Sequence, residues 1–257
     1  MQKLLLVAVL FSVLSSVQAV PPDGISKRDI ITPLPESADE QELKFQPGLD
    51  FDSDGCYNTA AISPDGTTNP GKKATKRVEG ECRGEDQLNN SNTYSRKRCN
   101  NGYCAIMYEY YFEKDQAIGG SFLGGHRHDW ENIIVFVKGN SVMRVAPSCH
   151  GDYENAKNTF AIQGDHPLLV YHKDGWGTHC FRHANTDDQL HIENPFGVWY
   201  RSPLVGWNNW PSNDLRTKMI DTYDGSATVK LRDDRFGNSL KEAAGDAVPG
   251  FDPFLDE

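Results

Sequence analysis

No cluster of basic residues stands out in the sequence and, beyond its N-terminal segment, the sequence has no long apolar run. Its 257 residues include 26 Lys and Arg against 36 Asp and Glu, which gives a formal net charge of −10. Nucleic-acid binding is disfavoured, because it relies on concentrated Lys and Arg. Simple electrostatic adsorption to an anionic membrane is disfavoured for the same reason. No later segment approaches the roughly 18 apolar residues of a transmembrane helix.

The N-terminal segment predicts a secretory signal peptide over residues 1–19 and therefore an extracellular protein. Lys3 gives a positive start, residues 4–14 are largely apolar, and Ala19 ends a small-residue cleavage signal.

Residues 20–45 contain four prolines and an acidic stretch, which predicts a flexible arm. Within it, Lys27-Arg28 is either a cleavage site that would end a pro-segment at residue 28 or an incidental exposed pair. The remaining residues 46–257 suit a single β-rich domain, because long helical periodicity is absent.

The cysteines contain no C-x-x-C pair, which disfavours the competing interpretation of a zinc site. An even number of cysteines in a secreted chain implies disulfides, although sequence alone leaves their connectivity open. Cys99 and Cys104 flank an Asn-Asn-Gly turn and are predicted to pair locally. The simplest sequential choice for the rest is Cys56–Cys82 and Cys149–Cys180.

Two loop motifs precede the predicted core. Asn89-Asn90-Ser91 is an N-glycosylation sequon and predicts that Asn89 lies at the surface. Asp50 to Gly55 resembles the start of an EF-hand loop, but Ala61 stands where a bidentate Glu is needed. This segment is therefore predicted to be an acidic turn, with a non-EF calcium site as the alternative.

Short apolar segments between turn residues predict a mainly β fold, an antiparallel sandwich with peripheral helices. Two short helices are predicted, one capped near Ser212 and ending near Asp221, the other capped by Ser239 and ending at Ala244. The predicted strands cover residues 105–112, 133–137, 142–147, 159–163 and 168–172.

The most informative segment is residues 125–131, Gly-His-Arg-His-Asp-Trp-Glu, directly before the predicted strand at 133–137. Charge of this density beside a buried strand is costly unless it is paired or bound to a ligand. The heptad therefore predicts a site. The side chains in it that titrate, ligate a cation or pair with an anion are His126, Arg127, His128, Asp129 and Glu131.

The carboxylates favour a hard cation. Asp129, Glu131 and the nearby Asp115 offer the oxygens that Ca²⁺ and Mg²⁺ prefer, whereas Zn²⁺ would take the histidines directly. In a regular strand, His126 and Asp129 point to opposite faces. A loop or bulge must therefore break the alternation, and Gly124-Gly125 make this feasible.

The residues alone leave three functions open. A cation on the carboxylates would bind sugar hydroxyls or a phosphate. Alternatively, the two histidines would act in a secreted metal-dependent hydrolase such as a nuclease or phosphoesterase. In the third, Arg127, Asp129 and Glu131 form a structural ion network.

The heptad resembles the signature motif of the necrosis- and ethylene-inducing-like proteins (NLPs), a family of secreted microbial cytolysins. Residues 105–115, the Gly-Trp-Gly-Thr-His segment at 175–179 and the Phe-Gly-Asn-Ser-Leu segment at 236–240 also resemble the family. The resemblance covers about residues 45–245. It implies a β-sandwich similar to actinoporins and fungal lectins, without enzymatic turnover.

The resemblance further implies binding to the sugar head of glycosylinositol phosphorylceramides in plant plasma membranes, followed by membrane damage. A Ca²⁺ or Mg²⁺ ion would take part, held by Asp115, His126, Asp129 and Glu131. Arg127 and His128 would organise the carboxylates or the head group. A loop with Asp174, Trp176 and His179 would contact the sugar and the membrane.

Residues 105–128 resemble a segment that plants detect as an immune signal, so a plant immune receptor is an expected partner. The chain departs from the simplest members in its six cysteines and in a few added residues between Asp115 and His126. A non-cytotoxic lectin or elicitor of the same family is therefore the alternative to a cytolysin.

Overall fold

The computed structural model describes residues 30–74, 77–120, 124–225 and 227–257. The predicted signal peptide and Lys27-Arg28 lie outside these ranges. Within them, no helix is long and apolar enough to cross a membrane.

Strands dominate the described chain, and most of the helices lie towards its two ends. In chain order the elements are α1 (Glu40–Lys44), β1 (Gly48–Phe51), α2 (Glu85–Asn89), β2 (Thr93–Asn100), β3 (Tyr103–Gln116), β4 (Gly125–Lys138), β5 (Ser141–Pro147), β6 (Ile162–Gln163), β7 (His166–Lys173), β8 (His179–His183), α3 (Thr186–Leu190), β9 (Leu204–Gly206), α4 (Asn213–Thr222), α5 (Asp233–Ala244) and a final 3₁₀ helix (Gly245–Ala247).

The strands form two sheets, as the predicted sandwich requires. The larger sheet has the order β5-β4-β3-β2-β9, and in the smaller one β7 pairs with β1, β6 and β8. Neighbours are antiparallel except for two pairs, since β1 runs parallel to β7 and β9 runs parallel to β2. The sheets are therefore mixed at their margins rather than purely antiparallel.

The central strand β3 is buried on both faces, and its alternation builds two core layers. Ile106 and Tyr108 pack between the sheets with Tyr171 of β7. Met107 and Tyr111 face the other way and belong to the core layer that includes residues of α4 and α5. The sandwich therefore has an additional helical layer on one side of the larger sheet.

Two local predictions are wrong. The last helix begins at Asp233, and Ser239 lies inside it as a buried residue. Its first turn carries Asp233 and Asp234, which complement the helix dipole, and its buried face includes Phe236 and Leu240. The strand predicted over 159–163 contracts to the two-residue β6. The helix capped by Ser212 is confirmed, since Ser212 Oγ accepts the Leu215 N–H at 3.1 Å.

The prediction of a flexible arm is also wrong over residues 30–45. Asp39 caps α1, and Glu42 completes a capping box with it. Leu34 and Phe45 are buried, and the Leu34 N–H donates to Asn92 Oδ1 at 2.8 Å. The acidic stretch is the start of a helix rather than a solvated tail.

The predicted disulfides are confirmed as Cys56–Cys82, Cys99–Cys104 and Cys149–Cys180. All six thiols are therefore consumed, which leaves none for zinc. Asn89 ends α2 and is exposed, as a surface sequon requires.

Candidate cation site

The heptad forms the first half of β4, and its neighbour is the end of β3. Asp115 pairs with His126, and Phe112 pairs with Asp129. This register brings the upstream carboxylate of Asp115 beside the heptad. The residues added between the two strands therefore do not separate Asp115 from the other predicted ligands.

The expected break in alternation occurs at His128 rather than at the glycines. His128 has a φ of 60°, in the left-handed region that non-glycine residues rarely adopt. Lys114 pairs with Arg127 and Phe112 with Asp129, so no residue is inserted. The His128 ring turns away to meet Tyr111, whose hydroxyl lies 2.7 Å from Nδ1. Both sides of the break can then present ligands to one cavity.

The break brings the ligand atoms of Asp115, His126 and Asp129 within 4.8 Å of one another. The His126 ring is oriented by its own strand, because Nδ1 donates to the His128 carbonyl at 2.8 Å. A carbonyl only accepts, so Nδ1 carries the proton and Nε2 keeps its lone pair for a cation or a bound water. Glu131 lines the same cavity and accepts a hydrogen bond from Ser148 Oγ.

His179 lies behind Asp115 and not on an exposed loop as predicted. Its backbone N–H donates to both oxygens of Asp115, at 3.1 and 3.0 Å, and its Nδ1 donates to Oδ1 at 2.8 Å. The side chain is 3% exposed, and Nε2 is 3.6 Å from Asp54 Oδ1. His179 therefore positions a ligand and does not contact solvent or membrane.

Burial and neighbouring carboxylates raise the pKa of Asp129 and of Glu131. Burial, followed by the charge of Asp115, raises the pKa of Asp129 to about 7, although Tyr171 donates to it at 3.0 Å. Burial and the charge of Asp129 hold the pKa of Glu131 well above its usual range. A divalent cation would relieve this repulsion, because it stabilises the ionised forms together. The donor set of carboxylates with one imidazole fits Ca²⁺ or Mg²⁺.

A cavity of about 420 Å³ opens over these ligands. Its walls beyond the heptad are formed by His150, Gly151, Thr178, Ala227, Thr228 and Lys230. Lys230 sits on a wall that is fixed from beneath, because the buried Glu109 accepts the N–H groups of Lys230 and Leu231 at 2.6 and 3.1 Å. The supporting role of Glu109 was not predicted from the sequence. An acidic residue within an aromatic-rich strand was the signal that could have indicated it.

Trp176 is 94% exposed on the short loop between β7 and β8. The loop is closed by hydrogen bonds from Asp174 N–H to Thr178 O (3.0 Å) and from Gly177 N–H to Asp174 O (2.8 Å). Asp174 also meets His150, with Oδ2 3.1 Å from Nε2. Since Thr178 and His150 line the cavity, the loop that carries Trp176 adjoins it.

Arg127 and His128 do not reach the carboxylates. Arg127 is exposed, and its guanidinium donates to the Pro70 carbonyl at 2.9 Å. The structural ion network of Arg127 with Asp129 and Glu131 is therefore not formed. The two imidazoles of the heptad make different contacts, since His126 bonds to the His128 carbonyl and His128 to the Tyr111 hydroxyl.

Two other groups of potential ligand residues do not form cation sites. Cys149, His150, Asp174 and Cys180 lie close together, but both cysteines are in a disulfide and offer no thiolate. In the acidic turn after β1, Arg83 donates to the carbonyls of Phe51, Asp52 and Gly55. The Asp52 carboxylate is bound by Arg182 at 3.1 Å. Guanidinium groups thus take the oxygens that calcium would need.

The family model described as Necrosis inducing protein (NPP1) matches residues 39–243. The chain belongs to this family. NLP effector protein 2 of Phytophthora capsici is 33% identical over 226 residues, which are 84% of this chain and 85% of the relative. Necrosis-inducing protein NPP1 of Phytophthora nicotianae is 29% identical over 233 residues, with coverages of 86% and 91%.

Solved NLP structures share the fold. Necrosis and Ethylene inducing Protein 2, from the causal agent of cocoa's witches' broom disease, superposes with a TM-score of 0.69 at 27% identity, over 82% of this chain and 94% of that one. NLPPya in complex with mannosamine gives 0.65 at 26%, over 83% and 94%. The non-toxic HaNLP3 gives 0.68 at 27%, over 82% and 96%. Toxic and non-toxic members therefore share one architecture.

Proposed function

We propose that this NLP is a secreted cytolysin and elicitor that binds the glycosylinositol phosphorylceramide head groups of plant plasma membranes through a divalent cation. The observation that carries the proposal is the convergence of Asp115, His126 and Asp129 within 4.8 Å in an acidic cavity. The resulting membrane damage would cause necrosis and immune responses.

The cation would be Ca²⁺ or Mg²⁺, held by Asp115, His126, Asp129 and Glu131. These ions take oxygen ligands and commonly keep open positions for water or substrate oxygens. Sugar hydroxyls suit those positions. The similar protein NLPPya was solved in complex with mannosamine and with glucosamine, which supports a sugar as the ligand of this cavity. A cation would also connect a protein of net charge −10 to an anionic lipid.

Trp176 would enter the membrane interface beside the bound head group. Its indole is fully presented to solvent, which is costly for an isolated protein and typical of groups that partition to the bilayer interface. Asp174 would face the sugar side of the same loop. His179 would act only through Asp115.

We also propose that no substrate is turned over. The His126 imidazole is oriented by the His128 carbonyl, whereas His128 bonds to Tyr111 on the other side of the strand. These separate contacts support the absence of turnover, because the hydrolase alternative needs the two imidazoles to act together.

Immune recognition would use residues 105–128 after the protein is unfolded or cut. Residues 105–116 lie in β3, the middle strand of the larger sheet, and are buried. Burial would keep a receptor from this strand in the folded protein, and its backbone is paired with β4 along most of its length and with β2 over residues 103–109. A heat-denatured or proteolysed sample should therefore elicit responses at lower concentrations than the native protein.

The test is dye release from vesicles that contain plant glycosylinositol phosphorylceramide, measured with Ca²⁺ and with EDTA. The variant Asp129→Asn keeps the size of the side chain but removes a ligand charge, and Asp246→Asn on an exposed turn is the matched control. We expect release by the wild type and by Asp246→Asn, none with EDTA, and none from Asp129→Asn. Release that survives both EDTA and Asp129→Asn would refute the cation mechanism. Lipid binding without release would assign the non-cytotoxic lectin or elicitor.

A further inference from the structure

We propose that a second cavity, separated from the cation cavity by the His150–Asp174 pair, is a subsite for a further neutral sugar ring of the same glycan head group. This inference rests on the proposed function. The second cavity has a volume of about 350 Å³, which lies at the small end of ligand-binding cavities in proteins. Its lining residues include Asn155, Lys157, His172, Asp174, Arg182 and His183.

One contact between side chains connects the second cavity with the cation cavity. His150 lines the cation cavity and Asp174 lines the second one, and their side chains meet at 3.1 Å. The loop that carries Trp176 starts at this Asp174. A chain of sugars that begins on the cation would therefore cross the His150–Asp174 pair, pass beside Trp176 and reach the second cavity.

The charge in the second cavity is nearly balanced, which argues against an anion or a metal as its ligand. Arg182 is already neutralised, because it bonds to Asp188 at 2.6 and 2.8 Å and to Asp52 at 3.1 Å. The exposed Lys157 and Asp174 carry opposite charges.

The two imidazoles of the second cavity are uncharged at neutral pH. Burial lowers the pKa of His183 to about 4 and also lowers the pKa of His172. Neutral imidazoles each offer one donor and one acceptor, the combination that sugar hydroxyls use.

Among the residues that the structure describes, one ring nitrogen of the wall residue His183 has no hydrogen-bond partner. His183 donates from Nε2 to the Asn155 carbonyl at 3.0 Å, so its Nδ1 carries a lone pair. That Nδ1 is buried and has no hydrogen-bond partner among the residues that the structure describes. An unsatisfied buried acceptor costs about 1–3 kcal/mol, and a ligand hydroxyl would satisfy it.

His172 is the second imidazole of the cavity wall. Its Nε2 lies 3.8 Å from Cys180 Sγ, which is a long contact. The second cavity thus combines balanced charge with the His183 acceptor and a polar lining, and an uncharged polyhydroxylated ring matches all three.

The experiment compares two probes by calorimetry in Ca²⁺: glucosamine, which has one ring, and the oligosaccharide released from plant glycosylinositol phosphorylceramide. Lys157→Ala removes an exposed side chain and should fold normally. His183→Phe removes both ring nitrogens and preserves the stacking with Phe160. Lys241→Ala, exposed on α5, is the charge-matched control.

We expect both cavity variants to lose about 3- to 10-fold in affinity for the oligosaccharide, as the loss of one hydrogen bond predicts. Their affinity for glucosamine should stay within about 2-fold of the wild type. Unchanged oligosaccharide affinity in Lys157→Ala and His183→Phe would overturn the second subsite. Wild-type binding of both probes that survives EDTA would instead overturn the cation mechanism. Absence of any binding by the wild type would overturn both.

Discussion

The imidazole of His179 donates from Nδ1 to Oδ1 of Asp115 across 2.8 Å, with both side chains almost completely buried. The contact fixes one carboxylate oxygen of the candidate cation site and leaves the other free of the ring. In metal sites, such supporting hydrogen bonds set the orientation and basicity of the ligand. The residue that was predicted to face the membrane is thus part of the support for the cation.

We expect His179→Ala to lower Ca²⁺ affinity by about 10- to 100-fold, the usual effect of removing a partner behind a ligand. Titration calorimetry on the purified protein measures this directly. His191→Ala removes an exposed imidazole elsewhere and serves as the control. Equal Ca²⁺ affinities in the two variants would show that His179 does not position Asp115.

Asp129→Asn should change the melting temperature differently in the absence and in the presence of the cation. In EDTA, the variant should melt at or above the wild-type temperature, because one of three neighbouring buried carboxylates is neutralised. Added Ca²⁺ should raise the melting temperature of the wild type, since a ligand that binds only the folded state stabilises it. The variant should lose most of this Ca²⁺-dependent rise. A wild-type melting temperature that is insensitive to Ca²⁺ would contradict the site.

Glu109 should make stability depend on pH. Burial raises its pKa from the usual 4.5 of a glutamate to about 8 in the folded protein. The folded state therefore holds the proton more tightly, so this contribution to stability is complete below pH 4.5 and is lost as the pH rises through about 8.

Thermal melts at pH 5 and pH 8 measure this dependence. Between these two pH values, the stability of Glu109→Gln should fall by less than the stability of the wild type. Glu242→Gln, exposed on α5, should behave like the wild type. Identical pH dependence in all three proteins would mean that Glu109 does not titrate in this interval.

Trp176→Ala should leave the fold intact and weaken membrane association. The indole is 94% exposed, so its loss should change the free energy of unfolding by less than about 0.5 kcal/mol. Sedimentation with sphingolipid vesicles should show reduced binding. Leu190→Ala removes another exposed apolar side chain, 72% exposed, and is the comparison. A matching reduction in both variants would indicate general apolar adsorption rather than a specific loop.

Most residues of the candidate cation site could be selected from the sequence because their chemistry is concentrated in one heptad. His126, Asp129 and Glu131 are close in sequence, and the need to break strand alternation was evident from their spacing. The residue that makes the break was not evident, since a left-handed His128 depends on its packing against Tyr111.

The supporting residues were not predictable, because they come from distant segments. Ser148 follows β5 and reaches Glu131 through the pairing of β5 with β4, whereas Tyr171 reaches Asp129 because β7 of the smaller sheet packs against the larger one. His179 was misplaced for a related reason. It is the first residue of β8, and the chain passes from full exposure at Trp176 to burial within three positions.

The predicted start of the last helix was wrong because the sequence contains two helix-start signals close together. Ser239 and Glu242 match a capping box, but the aspartates at 233 and 234 lie earlier and mark the start of α5. The disulfides were predicted correctly because each bridge joins neighbouring cysteines along the chain.

The Cys149–Cys180 bridge joins the residue after Ser148 to the residue after His179, and these two hold Glu131 and Asp115. One covalent bond therefore links two supporting residues from different sheets, since Ser148 follows β5 of the larger sheet and His179 begins β8 of the smaller one. Such bonds persist in oxidising compartments and are reduced in the cytosol. The candidate cation site should consequently depend on the redox state of its surroundings, and a thiol reductant should weaken Ca²⁺ binding before the sandwich unfolds.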